Sequence, residues 1–374
     1  MSEALCRMGL MIPMKLIQFS DLHLSAANDP EYCLEVLTEI ATKATDHKCQ
    51  AILFCGDVFD TYADLLSLRS KFITILSAFS GKVYFLPGNH ESLRRNTKDR
   101  SFPTFDWGNQ IEFLDQGPYQ ILNLNEEVEL LSIPHQESYG ELLMALPPKK
   151  SANVRIALAH ATVVGMSFTG LKDEEEEEKG GLIDVAQLQS LGCDYVAVGH
   201  IHSARSQKFG KMEVAYAGSA RVWRSGETGP RKGILLEIAN AQISKTDVIL
   251  EKAGIYSEVT ISLGLDGLPE KTAEEYLSGF TKQDWIRIKW FGVVESMKGK
   301  IEFQSVLKTN WQSKFRRLEF DTKESEIIIA ENLTENAFIQ NFISLMETKK
   351  ASMEISEWNR TKELGLKLLL EVQI

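Results

Sequence analysis

Through the first two thirds of the chain, short apolar runs alternate with longer stretches whose apolar positions fall at helical spacing. Residues 15–20, 51–55 and 83–86 read as buried strands, each running into a polar cluster. Between them, Leu34, Leu37, Ile40 and Ala44 predict a helix over 31–47. A second helix is predicted from Asp64, as its cap, through residue 79, with Gly81 as the stop signal. Beyond residue 110 the pattern turns β-rich, with strands predicted over 111–114, 119–124, 128–133, 154–159, 195–198, 211–217 and 233–238. This alternation predicts a layered α/β fold. The pattern shifts near Gly254. Ile286, Ile288 and Trp290 alternate with Arg287 and Lys289, which predicts a half-exposed strand. Phe338, Ile339, Phe342, Ile343 and Met346 lie at helical spacing, and residues 364–372 form an apolar helix or tail. The expected domains are 1–254, a small α+β accessory domain over 255–330, and a helical segment over 331–374.

The polar clusters at the strand ends carry the chemistry. They are Asp21-Leu22-His23, Gly56-Asp57-Val58-Phe59-Asp60, Gly88-Asn89-His90-Glu91, the Ala159-His160-Ala161 step and Gly199-His200-Ile201-His202. Five of the seven histidines in the chain fall within them. Mixed Asp, Asn and His donors suit manganese, iron or zinc better than calcium. Seven donors are too many for one tetrahedral ion and suit a pair sharing a carboxylate. Two ions roughly 3.5–4 Å apart are the usual equipment for in-line attack of water on a phosphate ester. Asp57, beside a glycine, has two oxygens with which to bridge, and Gly88 permits the turn that aims Asn89 and His90. His47 at a helix end and His135 after Pro134 fit no block.

Composition narrows the picture without changing it. At 374 residues the chain exceeds one ordinary core, and 25% charged residues describe a globular protein. A net charge of −11 argues against a broad nonspecific nucleic-acid surface, although local basic clusters remain. Arg94, Arg95, Lys98 and Arg100 follow one block, and Arg221, Arg224, Arg231 and Lys232 follow Gly218-Ser219; both groups are candidate phosphate contacts. The five cysteines have no paired spacing and read as buried thiols in a reducing cytoplasm. No apolar stretch approaches the ~18 residues of a membrane span. Residues 1–13 make a poor signal peptide, and Met8, Met11 and Met14 are alternative starts. The run Asp173 to Glu178 reads as a solvated loop.

The order Asp-x-His, Gly-Asp-x-x-Asp, Gly-Asn-His-Glu, His and Gly-His-x-His resembles the calcineurin-like metallophosphoesterase superfamily over roughly residues 15–220. The resemblance implies a four-layer α/β sandwich, two mixed sheets flanked by helices, followed here by a small α+β capping domain. It implies one divalent ion on Asp21, His23, Asp57 and His202, and a second on Asp57, Asn89, His160 and His200. It makes His90 the catalytic acid near the leaving oxygen, with Glu91 and Asp60 positioning it. Asp-x-His-Leu, Gly-Asp-Val-Phe-Asp and Tyr216-Ala217-Gly218-Ser219-Ala220 resemble SbcD-type DNA repair exonucleases, in which Asp usually stands where Glu91 does. That likeness implies manganese, with iron, zinc or magnesium as alternatives, and linear duplex DNA as substrate. It further implies Arg94, Arg95 and Arg221 as DNA contacts, a coiled-coil ATPase partner of SMC type on the C-terminal helices, and a homodimer. Two other readings stand beside it. One is a small-molecule phosphodiesterase or phosphomonoesterase of the same superfamily, told apart by weak salt dependence. The other is a non-catalytic DNA-end-binding scaffold, whose mark would be a lost ligand; none of the seven is missing.

Overall fold

The computed structural model describes residues 13–91, 105–135, 152–166, 181–322, 327–329 and 337–371. Two compact units divide the chain, residues 1–254 and 255–374. In the first, β1 (Met14–Phe19), β2 (Ala51–Cys55), β3 (Lys82–Leu86) and β4 (Ile111–Phe113) run parallel in that order. A second sheet begins with β5 (Gln120–Asn123), β6 (Val128–Ile133) and β7 (Val154–His160). A short pair, β8 (Thr162–Val164) and β9 (Leu182–Asp184), precedes β10 (Tyr195–Gly199), β11 (Arg205–Phe209) and β12 (Met212–Tyr216), which complete the second sheet in the order β11-β12-β10-β7-β6-β5. The hairpin β13 (Lys232–Ala239) and β14 (Gln242–Ile249) returns to the first sheet, with β13 antiparallel to β1.

Period-two alternation explains why so many strands are apolar throughout. Leu16, Leu53, Leu86, Leu130, Leu158 and Ala197 meet in one core between the sheets. Their neighbours Ile17, Phe54 and Phe85 point the other way, into a core with Val36, Leu37 and Ile40 of the helix Pro30–Asp46 and Leu65, Leu68 and Phe72 of the helix Tyr62–Leu76. On the second sheet, Leu131, Ala159 and Val198 face Val163, Ile183 and Leu188. Strands buried on both faces carry no alternating polar positions. The result is the four-layer sandwich expected of the sequence, helices outside and two mixed sheets within.

Two local expectations change. Thr61, not Asp64, caps the second helix: its Oγ1 accepts from Asp64 N, while the Asp64 carboxylate accepts from Ala26 N at 2.7 Å. The strands β11 and β14 escape sequence reasoning because they are polar and largely exposed edges, which leave no apolar run. His47 is the C-terminal cap residue of the first helix. The four described cysteines, Cys33, Cys49, Cys55 and Cys193, are buried thiols.

The second unit holds β15 (Tyr256–Leu263), β16 (Trp285–Val294), β17 (Arg317–Phe320) and β18 (Ile327–Ile329). Ile286, Ile288 and Trp290 pack in one core with Leu307 and Trp311 of the helix Lys298–Trp311, while Arg287 and Lys289 are half-buried. Within the same unit, Ile339 of the helix Ala337–Lys349 and Leu366 of the helix Ile355–Glu371 cluster with Val293. Among the described residues no helix is long and apolar enough to cross a membrane. The acidic run 173–178 lies outside the described residues.

Candidate metal centre

Every block follows or ends a parallel strand. Asp21 and His23 follow β1, Asp57 follows β2, and Asn89 and His90 follow β3; His160 ends β7, and His200 and His202 follow β10. Ligands gathered at the carboxyl ends of strands are where open α/β sheets place their sites. The backbone there is bent sharply. Asp21 (φ 52°), His23 (φ 47°), Asp57 (φ 49°) and His200 (φ 95°) all occupy the left-handed half of conformational space. Such residues cost on the order of 1–3 kcal/mol each and persist only where neighbours over-determine them. Here Asp21 N donates to Gly56 O at 3.1 Å and His23 N to Asp57 O at 3.0 Å. Two glycines let the pieces close up: a Cβ on Gly56 would meet the His160 imidazole, and one on Gly88 the Asp57 carboxylate.

Two clusters result. Asp21, His23 and His202 each offer a ligand atom, all within 4.8 Å of one another, and so do Asp57, His160 and His200. In the first cluster, Nε2 of His23 and Nε2 of His202 stand 3.2 Å apart. His202 Nδ1 donates to Glu227 Oε1, and its Nε2 faces His23. In the second, His160 Nδ1 donates to Cys55 O at 2.8 Å, and its Nε2 lies 2.9 Å from Asn89 Oδ1 and 3.1 Å from Asp57 Oδ2. These three atoms converge on one point, where a proton on Nε2 or a metal ion can sit. The donor set fits a divalent ion in each cluster.

Burial and mutual charge act strongly on these groups. Burial alone would raise the Asp57 carboxyl, but the charge and hydrogen bond of His160, aided by His90 and His23, hold it well below the usual range. Burial opposes a charge on His160, yet Asp57 pushes it up to about 9. Burial, followed by His202, drives His23 well below its usual value, which favours the neutral imidazole a metal needs. Burial raises the Asp21 carboxyl despite His202 and His160.

His90 stands apart from the paired donors. Its Nδ1 donates to Asp60 O at 2.6 Å, and its Nε2 is 4.0 Å from Asp57 Oδ2, on the open side of the cluster. The backbone N of His90 donates to Asp57 Oδ1 at 2.9 Å. Asp60 acts through its carbonyl, and its carboxylate lies 3.4 Å from His23 Nδ1. His23, Asp60 and His90 also form a third group within 4.8 Å. Glu91 is fully buried and accepts three backbone N–H groups: Phe59 at 2.8 Å, Gly88 at 2.9 Å and Asp57 at 3.1 Å. Burial and the Asp57 charge push its carboxyl up to about 8 against those donors.

The basic contacts turn out differently. Arg221, expected at a phosphate, is 2% exposed, and its Nε and Nη2 donate to Leu22 O and His23 O at 2.7 and 2.6 Å. It braces the loop that carries the first ligands. Arg231 is likewise buried, and Lys232 pairs with Asp247 at 2.5 Å. Arg94 and Arg95 lie outside the described residues, as do Lys98 and Arg100. His135 is buried behind the centre, its Nδ1 3.2 Å from His160 O. Sequence reasoning missed Glu227 and gave Trp223 no role, although Trp223 stacks flat on His23 at 4.0 Å. Neither carries a local signal beyond following Gly218-Ser219.

A four-layer sandwich with two clusters of metal-ligand side chains across its strand ends has the architecture of a metal-dependent phosphoesterase. The calcineurin-like phosphoesterase family model matches residues 14–204, over half of the chain, and the protein belongs to that family of hydrolytic metallophosphoesterases. It is similar to the D component of the nuclease SbcCD from Bacillus subtilis (strain 168), 25% identical over 260 residues, which covers 60% of this chain and 66% of that protein. The same component from Escherichia coli (strain K12) is 27% identical over 278 residues, covering 63% and 67%. The uncharacterized metallophosphoesterase YhaO of Bacillus subtilis (strain 168) is 23% identical over 268 residues, covering 66% and 64%. The matches thus span about two thirds of those relatives' length. Among solved structures, a dimetal phosphatase from Danio rerio superposes with a TM-score of 0.42 at 8% identity, over 63% of this chain and 96% of that one.

Proposed function

We propose that the chain is a metal-dependent DNA exonuclease of the double-strand-break repair type, acting on linear duplex ends. What carries the reading is the gathering of all seven donors in a chain whose relatives include nuclease components. Asp21, His23, Asp57 and His202 would hold one ion, and Asp57, Asn89, His160 and His200 the other, with manganese favoured over iron, zinc or magnesium. When bound, a pair of divalent ions supplies Lewis acidity toward a phosphate ester and its attacking water. His90, its Nδ1 tied to Asp60 O, keeps Nε2 free to protonate the departing oxygen. Glu91 fixes the loop on which Asn89 and His90 ride, through the Gly88 and Asp57 amides. The protein works in the cytoplasm, as a homodimer with a coiled-coil ATPase partner of SMC type; Phe338, Leu345, Leu364 and Leu368, exposed on the last two helices, suit such a partner.

The test uses labelled linear duplex DNA with manganese. His90→Ala is expected to bind metal normally and to lose at least ~100-fold in turnover, the range of general acid catalysis. A variant of near-normal rate would refute the role of His90, and a wild-type chain inert on DNA would refute the nuclease reading. A small-molecule phosphodiesterase is the second reading, favoured by one observation: Arg221 and Arg231 are buried braces rather than phosphate contacts. Under it, hydrolysis of a chromogenic diester proceeds with little salt dependence and DNA is spared.

A further inference from the structure

Glu227 reaches the centre from 25 residues beyond the histidine it meets. Its Oε1 accepts from His202 Nδ1 at 2.5 Å, and its Oε2 accepts from Trp223 N at 2.8 Å and Ser219 Oγ at 3.2 Å. Arg231 backs the same point, with Nη1 donating to Ser219 Oγ at 3.0 Å and Nη2 to Thr228 O at 2.6 Å. Trp223, whose amide Glu227 holds, lays its indole on His23 with the rings 9° from parallel. One loop, residues 219–231, thus grips both imidazoles of the first cluster. The second cluster is held otherwise: His160 by Cys55 O, and the His200 amide by Asp21.

We infer that Glu227 is a positioning residue for one ion only, the one that Asp21, His23 and His202 would hold. A carboxylate on Nδ1 keeps the proton there and aims the Nε2 lone pair at the ion, the outer arrangement that tunes imidazole ligands. Trp223 fixes the plane of the second imidazole, so both nitrogens are aligned before an ion arrives. The centre is then asymmetric: one half is preset by a distant loop, the other by the strand ends. This rests on the two-ion reading above.

The experiment is a manganese titration of the full metal-free chain by calorimetry, for wild type, His202→Ala, Glu227→Gln and Glu227→Ala. Wild type is expected to show two binding events, of which His202→Ala removes one. Glu227→Gln should weaken that same event by roughly 10–100-fold, Glu227→Ala by at least as much, and leave the other event within about twofold. In the metal-free protein at alkaline pH, where the ring is neutral, nitrogen NMR should find His202 with its proton on Nδ1, and Glu227→Ala should disperse it between the two nitrogens. Unchanged affinity for both ions, or equal loss of both, overturns the inference, and Glu227→Gln still decides it if the alanine variant fails to fold. A wild-type chain that takes up no ion sinks the two-ion reading and the inference together.

Discussion

Glu129 and Arg155 form an ion pair inside the second sheet, and its removal should be costly in one direction only. The two residues face each other in the register of β6 and β7, with Arg155 Nε donating to Glu129 Oε1 at 2.6 Å and Nη1 to Leu191 O at 2.6 Å. Both side chains are almost wholly buried. Glu129→Leu would leave the guanidinium without its counter-charge in a place water hardly reaches, a change worth about 3–5 kcal/mol. At ~2–4 °C per kcal/mol for a unit of this size, the melting temperature should fall by roughly 6–20 °C. Replacing both partners, Glu129→Leu with Arg155→Met, removes the charge along with its partner. The double variant should recover most of the loss, short of the hydrogen bond to Leu191 O, about 1–2 kcal/mol. Thermal unfolding of the four proteins of this cycle, followed by circular dichroism on the metal-free chain, measures the coupling directly. A Glu129→Leu variant within about 1 kcal/mol of wild type, or a double variant as unstable as the two losses summed, would refute the reasoning.

Two further outcomes follow from the same burial arguments. Glu91→Ala strips the acceptor from three buried amides at ~1–3 kcal/mol each; the metal-free chain should melt several degrees lower, and an unchanged melting temperature would show that the carboxylate does not organise the loop. Burial pushes the Cys49 thiol up to about 11 and Cys55 well above its usual value, so both are overwhelmingly protonated at pH 8. Since the thiolate is the reactive form, iodoacetamide at pH 8 should leave both unlabelled until denaturant is added. Labelling of native Cys49 at the rate of a free thiol, read by peptide mass spectrometry, would contradict that.

The strands and the ligand blocks were legible because both depend on local order. A strand buried on both faces must be apolar at every position, and its carboxyl end is where a loop with Asp, Asn or His meets the neighbouring strand ends. Asp57 and His160 are over a hundred residues apart, yet each is announced by the apolar run before it. Arg221 and Glu227 have no such marker. Their roles are set by what lies across the fold: the carbonyls of Leu22 and His23 for one, the Nδ1 of His202 for the other. Basic residues after a conspicuous motif look the same whether they face a substrate or brace a loop from within. Only the burial separates the two, and for Arg221 it turns an expected DNA contact into part of the scaffold.

That exchange bears on the function as well. The net charge is −11, two arginines of that cluster are buried, and Arg224 lies over the Trp223 ring at 4.5 Å and 3.9 Å from Glu227 Oε1. Bound ions at the centre would themselves supply positive charge to a duplex engaging it. Where that charge carries the contact, binding depends on the ions more than on surface lysines and arginines. In the presence of a chelator, affinity for duplex DNA should collapse at all salt concentrations, whereas a basic-surface binder would keep its low-salt affinity. Retention of tight low-salt binding without metal would place the DNA on a surface other than this centre.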